Sequence, residues 1–432
     1  MSLKRQQLLM ITGSLILGVA LLFGAQFVLA AQIGTLTRVT TAFPDDSRGA
    51  FSPDVDNAGA KIVFHSNIDF FGQGAITDNQ FEIWLYDTAT MTVTRITTSS
   101  DPSTRDSREA HINGNGTVIA FESDSDFFGQ GITTTQNEIW LYDIGTMALT
   151  KVTTSSEGGL RRSDDPALNV DGTIVAFETE SDLLGEGLPD QREVWLYNTT
   201  TMSYTRVTSN SGNNTDSENS SLNADGAIVA FESDSDLLGE GRPANIDEIW
   251  LYNTTTMSYT RITSASHSNR DSFEPSLNAD GTIVAFHSDS DFLGEGRPVG
   301  VDEVWLYNTT TMTYTRVTSD SDSDRDSDNV RLSGDGTRIV FESDSDLLGQ
   351  TIPGNQDEIW LYDTNTMTFT RITTASDSNR SSSELGFSDD GTKIVFHSDS
   401  DFLTQSIADQ QREVWLVTLI KDIYMPIIRK NS

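Results

Sequence analysis

The stretch Glu303-Val304-Trp305-Leu306-Tyr307 decides the fold, because it returns at a constant spacing along the chain. Each of the 7 tryptophans in the 432 residues follows a glutamate and then an isoleucine or a valine. The first gap between these tryptophans is 56 residues and every later gap is 55. A self-similar period of this length indicates repeated structural units. The tryptophans are Trp84, Trp140, Trp195, Trp250, Trp305, Trp360 and Trp415.

Each unit contains the sequence of four short strands and of no helix. In the fifth unit, residues 273–278 and 282–287 flank Ala279-Asp280-Gly281, a turn whose Asp and Gly tolerate the left-handed backbone of a tight hairpin. The β-branched and aromatic segments 303–307 and 313–318 supply the third and fourth strands. Four antiparallel strands per repeat at this period are typical of a propeller blade.

The two ends of the chain predict how the ring closes. Residues 35–40 form a fourth strand with no blade before it, and the last unit stops after a third strand near residues 414–417. The N-terminal strand can therefore complete the last blade, which removes exposed sheet edges. The sequence predicts an all-β fold over residues 35–419: a seven-bladed β-propeller of four-stranded antiparallel blades.

The repeat resembles that of the TolB-like, WD-repeat-like propellers of bacterial exported proteins. The resemblance rests on Ser-x-Asn-Ala-Asp-Gly-Thr-x-Val-Ala-Phe, on Glu-Ile-Trp-Leu-Tyr-Asn and on Tyr-Thr-Arg-Val-Thr, and it covers nearly all of residues 35–419. The Pro-Asp-Gly turn typical of that family is replaced here, in the first unit by Asn57-Ala58-Gly59. The resemblance implies the fold. It does not imply the role of TolB, because we expect no N-terminal α/β domain in this chain, nor a peptidase role, because a Gly-x-Ser-x-Gly nucleophile motif is missing.

The N-terminus has the composition of an export signal. Lys4 and Arg5 precede the uncharged, mostly apolar residues 8–29, and Ala30 and Ala31 suit signal-peptidase cleavage. Residues 1–30 are therefore predicted to be a signal peptide or, if uncleaved, an anchor long enough to span a bilayer. Either alternative places the rest of the chain outside the cytoplasm, secreted or in the cell envelope. The C-terminal tail, residues 420–432, either packs on the propeller or serves in surface retention or sorting.

The charge of the chain excludes one class of partner. Its 64 acidic and 28 basic residues give a formal net charge of -36, which would repel the phosphates of a nucleic acid. The absence of cysteine excludes disulfides, cysteine nucleophiles and thiolate metal sites. In a propeller, the second-to-third and fourth-to-first connections share one face, and here these connections hold most of the acids. The sequence thus predicts an acidic loop face.

Two polar positions recur in every unit on neighbouring strands. A glutamate opens the third strand and a basic residue lies in the fourth, so that Arg316 should lie opposite Trp305 and diagonal to Glu303. Because catalysis needs one unique constellation, we interpret the sevenfold pattern as a structural ladder. Its glutamates are Glu82, Glu138, Glu193, Glu248, Glu303, Glu358 and Glu413, and its bases are Arg38, Arg95, Lys151, Arg206, Arg261, Arg316 and Arg371.

The aspartates after the second strand are candidate metal ligands, since calcium prefers oxygen ligands. An EF-hand is excluded, because Leu293 and Gly300 stand where that loop needs ligands. Calcium in another geometry therefore competes with a solvated acidic rim as the explanation. The candidate ligands are Asp126, Asp182, Asp236, Asp289, Asp291, Asp346 and Asp401.

A position in the second strand alternates between Glu and His, and we expect it to bond to the neighbouring blade. It holds His65, Glu122, Glu178, Glu232, His287, Glu342 and His397. His111 and His267 lie outside the repeat pattern and are interpreted as lone surface or blade-edge histidines. In the first strand, one position varies among Asp54, His111, Ala167, Ser221, Ser276, Arg331 and Gly386. We do not expect the residues at this position to form an acid–base pair.

The leading hypothesis is a monomeric, exported, non-enzymatic propeller that binds a protein or a cationic polymer through its acidic loop face. No cofactor is required, with calcium the one open alternative. The membrane would be contacted only through an uncleaved N-terminal segment. Two other classes compete with this hypothesis. One is a glycan-directed hydrolase with paired carboxylates at the central channel, which should break the repeat at a few channel residues. The other is a purely structural envelope protein.

Overall fold

The computed structural model describes residues 32–41, 48–71, 80–99, 105–133, 136–154, 161–186, 191–209, 215–241, 245–264, 270–296, 299–319, 325–350, 352, 356–374, 380–404, 407 and 411–420. The predicted signal peptide or anchor, residues 421–432 of the tail and His267 lie outside these ranges. Every regular element in the described part is a β-strand. A helix long and apolar enough to cross a membrane is not found there.

Twenty-eight strands form seven four-stranded antiparallel sheets, the blades. The blades are numbered in chain order: blade 1, β2 (Ala50–Val55), β3 (Lys61–Ser66), β4 (Glu82–Asp87), β5 (Thr92–Arg95); blade 2, β6 (Ser107–Ile112), β7 (Val118–Ser123), β8 (Glu138–Asp143), β9 (Ala148–Lys151); blade 3, β10 (Ser163–Leu168), β11 (Ile174–Thr179), β12 (Glu193–Asn198), β13 (Ser203–Arg206); blade 4, β14 (Ser217–Leu222), β15 (Ile228–Ser233), β16 (Glu248–Asn253), β17 (Ser258–Arg261); blade 5, β18 (Ser272–Leu277), β19 (Ile283–Ser288), β20 (Glu303–Asn308), β21 (Thr313–Arg316); blade 6, β22 (Ser327–Leu332), β23 (Arg338–Ser343), β24 (Glu358–Asp363), β25 (Thr368–Arg371); blade 7, β26 (Ser382–Phe387), β27 (Lys393–Ser398), β28 (Glu413–Ile420) and β1 (Gln32–Arg38).

The predicted ring closure is confirmed. Strand β1 pairs antiparallel with β28, so that the N-terminal strand is the outer strand of blade 7. The pairing ends with Arg38 opposite Trp415, which is the pairing that Arg316 and Trp305 make in blade 5. The first strand of the chain thereby belongs to the last blade, where it is paired instead of standing alone.

The apolar core lies between blades. One cluster joins Val340 and Ile359 of blade 6 to Phe396 and Trp415 of blade 7, and comparable clusters fill the other blade interfaces. All 7 tryptophans are fully buried. Because each sheet packs both faces on its neighbours, the repeat buries its aromatic residues only when the ring is complete.

The inner strand of every blade carries a bulge at its third residue. This residue has a positive φ of 40 to 52° although it is never glycine, and the strand pairing shifts register immediately after it. Such a backbone is uncommon for residues with a side chain, and a bulge re-aims the side chains around it. The seven residues are Ser52, Glu109, Asp165, Asn219, Glu274, Asn329 and Glu384.

Candidate functional site

The seven inner strands surround a central channel. It holds a cavity of about 370 Å³, which continues into a smaller cavity of about 160 Å³ beside the first-to-second turns. The third and fifth residues of each inner strand line the larger cavity. The fifth residues are Asp54, His111, Ala167, Ser221, Ser276, Arg331 and Gly386. Gly386 fits where blades 7 and 1 approach, since a Cβ there would lie 2.8 Å from the carbonyl oxygen of Pro53.

The bulged residues are held by the preceding blade. The backbone N–H of Glu274 donates to Glu232 of blade 4 at 2.7 Å, and that of Glu384 donates to Glu342 of blade 6 at 2.6 Å. Asn219 N–H donates to Glu178 in the same way. The predicted bonding of the Glu/His position to the neighbouring blade is therefore confirmed at these three glutamates. These three carboxyl groups are buried, and burial raises the pKa of Glu232 to about 8.

Blade 7 carries His397 at the Glu/His position, and Glu384 itself bonds to blade 1. Oε2 of Glu384 accepts the backbone N–H and the hydroxyl of Ser52, both at 2.9 Å, and lies 3.0 Å from Nδ1 of His397. Burial opposes ionisation of Glu384, but its hydrogen bonds to His397 and Ser52 outweigh it and lower the pKa of Glu384. This carboxylate is ionised in the channel wall.

Glu109 is the neighbour of Ser52 on the other side. Its Oε1 lies 3.5 Å from the Ser52 hydroxyl oxygen. Burial, together with the negative charges of Asp165 and Glu384, raises the pKa of Glu109 to about 7. The pKa values of the two glutamates on either side of Ser52 are therefore shifted in opposite directions. Opposite shifts in neighbouring titratable groups are characteristic of functional sites.

Asp54 and His111 meet in the channel at the next level. Asp54 Oδ2 accepts the backbone N–H of Ile112 at 2.9 Å and lies 3.5 Å from Nδ1 of His111. Burial lowers the pKa of His111, but its hydrogen bond to Asp54 reverses this and the pKa is raised overall. The expectations that His111 is a lone surface histidine and that this position forms no acid–base pair were wrong. The side chain of the fifth residue reaches across to the next blade, as Ser221 and Ser276 also do.

At the channel mouth on the loop face, the residue before each ladder glutamate differs from blade to blade. It is Arg in blades 7 and 3, and Asp in blades 4 to 6. The seven residues are Phe81, Asn137, Arg192, Asp247, Asp302, Asp357 and Arg412. We call Arg192, Arg412 and Arg108 the basic sector, and Asp247, Asp302, Asp328 and Asp357 the acidic sector.

Two arginines of the basic sector, Arg192 and Arg108, are compensated by acidic side chains of the protein. Arg192 lies 3.1 Å from Glu218, 3.6 Å from Asp164 and 3.8 Å from the buried Glu178. Arg108 contacts Asp106 at 3.0 Å and lies 4.1 Å from the centre of the Phe81 ring, a distance suited to a cation–π interaction. Each of these two arginines therefore has an acidic partner.

The acidic sector is not compensated. None of its four aspartates has an ion-pair partner among the residues that the structure describes. Burial, followed by the charges of neighbouring acids, raises the pKa of Asp247, Asp302 and Asp328 to about 7. For Asp328 those acids are Glu274 of the channel ring, Asp357, Asp302 and Asp326. The acidic sector is thus continuous with the channel.

The ladder residues lie side by side, with partners that differ between blades. Arg95 lies 2.7 Å from Glu82, Arg371 2.6 Å from Glu358 and Arg38 2.5 Å from Glu413. In blades 3 to 5 the arginines also reach outward: Arg206, Arg261 and Arg316 contact the loop residues Glu186, Glu240 and Glu295. A threonine hydroxyl that follows each fourth strand donates to the ladder glutamate in all seven blades.

The candidate metal ligands follow the second strands of blades 2 to 7, one to a blade except in blade 5, where Asp289 and Asp291 share a loop. Asp236 and Asp291 each accept two backbone N–H groups of their own loop at 2.6 to 2.9 Å, and Asp126 does so at 2.6 and 2.7 Å. Asp182 accepts the N–H of Glu186 and Asp346 that of Gln350, and Asp289 accepts the N–H groups of Asp271 and Gly300. Asp401 follows β27 at the same loop position. Within the described ranges, three or more acidic or histidine side chains do not cluster as a metal would require.

Comparison with known proteins gives the fold only. No family model matches the chain, and no curated protein matches it. Among solved structures, an oligogalacturonate lyase from Vibrio parahaemolyticus is similar with a TM-score of 0.58 at 13% identity, over 90% of this chain and 96% of that one. An oligogalacturonate lyase in complex with manganese has a TM-score of 0.57 at 14% identity, over 91% and 97% of the two chains. TolB from Acinetobacter baumannii is also similar, with a TM-score of 0.42 at 17% identity, over 79% and 78%.

Proposed function

We propose that this protein is an exported binding propeller that holds a cationic polymer or a basic segment of another protein at the acidic sector of its channel mouth. The observation that carries the proposal is that Asp247, Asp302 and Asp328 have no ion-pair partner among the described residues, whereas Arg192 and Arg108 of the basic sector have acidic partners. Asp302 and Asp328 act on one another and on neighbouring acids, and a cation bound between such carboxyl groups would favour their ionised forms. A bound ammonium or guanidinium group would supply that cation.

The charge of the channel also bears on the alternative of a glycan-directed enzyme. The substrate in the names of two similar structures, oligogalacturonate, is a polyanion. Six carboxyl groups line the cavities here, on Asp54, Glu109, Asp165, Glu274, Glu384 and Asp389, against the bases His111 and Arg331. A polyanion would meet repulsion in this channel. A cationic ligand, including a cationic glycan, would be attracted.

Binding of labelled octalysine to the full chain, followed by fluorescence anisotropy at fixed ionic strength, tests the proposal. We expect saturable binding that octaglutamate does not show and that weakens as salt rises. Asp302→Asn combined with Asp328→Asn should weaken binding about 10-fold or more, since charge-pair losses of about 1.4 kcal/mol correspond to that factor.

A matched control separates the acidic sector from net charge. Asp225→Asn combined with Asp280→Asn removes the same charge from first-to-second turns on the opposite face, where Asp225 accepts the backbone N–H of Ala227 and Asp280 accepts the backbone N–H and the hydroxyl of Thr282. If this pair weakens octalysine binding as much as the mouth pair does, attraction is non-specific and the proposal fails. A parallel series with calcium, magnesium and chelator tests calcium as the ligand of the second-to-third loops. A rise in the unfolding midpoint with calcium alone would assign those loops a metal.

A further inference from the structure

Six methionines form a ring on the face of the propeller opposite the channel mouth. Each lies in the turn between the third and fourth strands of its blade, and this turn bonds to the first-to-second turn beside it, as Thr309 N–H does to the carbonyl oxygen of Thr282. Blade 7 takes its fourth strand from the N-terminus, so the turn exists in blades 1 to 6. The methionine ring consists of Met91, Met147, Met202, Met257, Met312 and Met367.

The side chains of the methionine ring are exposed to solvent. Their exposed fractions of 74 to 76% are the highest among the large apolar side chains in the described part of the chain. None of them belongs to the apolar clusters between the blades. Methionine usually fills irregular gaps in a core, and burial does not account for it here.

The backbone of the methionine ring is unfavourable for a residue with a side chain. Every ring methionine has a φ of 52 to 59°, in the left-handed region that glycine adopts most easily. The turn is closed by other groups. In blade 5 the N–H of Met312 donates to the carbonyl oxygen of Asn308 at 2.8 Å. The side chain of Asn308 accepts the N–H groups of Thr310 and Thr311 at 3.0 and 2.8 Å. Glycine would keep all these bonds, so the methionine is explained by what its side chain does in solvent.

The thioether is the reactive sulfur of this chain. The sequence has no cysteine, so a thiol does not compete for an oxidant. The 7 tryptophans, which strong oxidants also attack, are fully buried. Oxidation of sulfur side chains follows their exposure. The predicted export also takes the chain away from the glutathione and thioredoxin that keep sulfur reduced in the cytosol. An oxidant that reaches this surface therefore meets the methionine ring first.

We propose that the methionine ring is an oxidant-consuming modification site, which reacts with hypochlorous acid before the rest of the fold is damaged. The sulfur lone pair displaces hydroxide from chlorine, and a water oxygen then replaces the chlorine on sulfur. Each methionine thus loses two electrons and becomes a sulfoxide, the chlorine is reduced to chloride, and one proton is released. The sulfoxide is polar, and because these side chains lie in solvent it does not disturb the apolar core.

Titration of the full chain with hypochlorous acid tests the proposal. We expect about six equivalents, one for each ring methionine, to be consumed as sulfoxide at the ring, as located by mass spectrometry of proteolytic fragments. The unfolding midpoint and the tryptophan fluorescence should not change over this range. A fall in the midpoint while the ring alone is oxidised would overturn the proposal, because the side chains would then support the fold.

A matched variant separates protection from mere exposure. Leucine at all six positions keeps the apolar side chain and the left-handed backbone but removes the sulfur. Loss of tryptophan fluorescence should then begin about six equivalents of hypochlorous acid earlier than in the original chain. Loss at the same dose in both chains would overturn the proposal. The substitutions are M91L, M147L, M202L, M257L, M312L and M367L.

A single substitution tests whether the methionine has a structural role instead. Met312→Gly relieves the left-handed backbone of that turn and removes one thioether. We expect an unfolding midpoint that is equal or higher, and one equivalent less of oxidant consumed at the ring. A lower midpoint with the same uptake of oxidant would overturn the proposal and assign the methionine to the stability of its turn.

Discussion

The basic and acidic sectors of the channel mouth share one repeat position, the residue before the ladder glutamate, yet they differ there in how charge is balanced. In blade 3 that position is Arg192, and three acids from blades 3 and 4 gather around it. In blade 5 it is Asp302, surrounded by Asp326, Asp289 and Asp271. The backbone is the same in both blades, since each residue donates its N–H to an aspartate at the start of the next blade.

This difference separates structure from ligand binding. A charge that the fold needs is matched within the fold, because an unmatched buried charge destabilises it. A charge without a partner at a channel mouth lowers stability. Its presence there is explained by a ligand that it binds. The basic sector fits the first description and the acidic sector the second, so substitutions should affect stability on one side and binding on the other.

Arg192→Met is expected to give the largest loss of stability. It leaves Glu178, which is 1% exposed, without its nearest cation, and removal of one partner of a buried ion pair costs about 3 to 5 kcal/mol. Because Arg192 is 25% exposed, we expect about 2 to 4 kcal/mol, measured by urea unfolding at pH 7. Arg162→Met is the control, since Arg162 is 48% exposed and lies 3.9 Å from Asp164. Equal losses in the two variants would show that the buried contacts of Arg192 contribute nothing.

Asp302→Arg gives blade 5 the arginine that blade 3 has at this position. It should make the acidic sector more stable and weaken its binding of cations. The new guanidinium would lie beside Asp326 and near Asp328, two acids whose charges act on each other and on Asp302. We expect a higher unfolding midpoint and at least about 10-fold weaker octalysine binding, or about 1.4 kcal/mol. Tighter octalysine binding in this variant would contradict the assignment of the acidic sector as the binding side.

The sequence predicted the repeated part of this molecule and missed the part that is not repeated. Trp305, Tyr307, Arg316 and their register follow from alternation along two strands, and the pairing of Trp305 with Arg316 and of Tyr307 with Tyr314 is confirmed. Ring closure followed from counting third and fourth strands. The predicted strand ends shifted by one to three residues, as with the N-terminal strand, which runs Gln32–Arg38.

The channel pair was missed because its residues are far apart in the chain. Glu109 and Glu384 are brought together by ring closure, and Ser52 between them belongs to a third blade. The bulge that turns these side chains inward cannot be recognised from residue type, because Ser, Glu, Asp and Asn all occupy its positive-φ position. A usable signal did exist: the first-strand residues that differ between units, aligned by repeat, are those that line the channel.

The pH dependence of stability should differ between the sectors. The pKa of Asp302 is about 7 in the folded protein against about 3.9 for an unfolded aspartate. Its contribution to stability is therefore present below about pH 4 and is lost as pH rises through about 7. Asp302→Asn should raise the unfolding midpoint at pH 8 by about 1 to 3 °C and should change it least at pH 4. Stabilisation of the same size at both pH values would show that Asp302 titrates normally.

The smallest expected effect concerns Phe81, the mouth residue of blade 1. Its ring lies 4.1 Å from the guanidinium carbon of Arg108 and packs edge-on against Phe51 and His65. Phe81→Leu keeps an apolar side chain but removes the cation–π contact, worth about 0.5 to 1 kcal/mol at an exposed site. A double-mutant cycle with Arg108→Met, measured by urea unfolding, isolates that contact from the lost packing. Phe128→Leu is the control, because Phe128 tilts on Trp140 in a loop where blades 3 to 7 carry leucine. A coupling energy of zero would mean that Asp106 alone holds Arg108, and the basic sector would then be balanced by acids throughout.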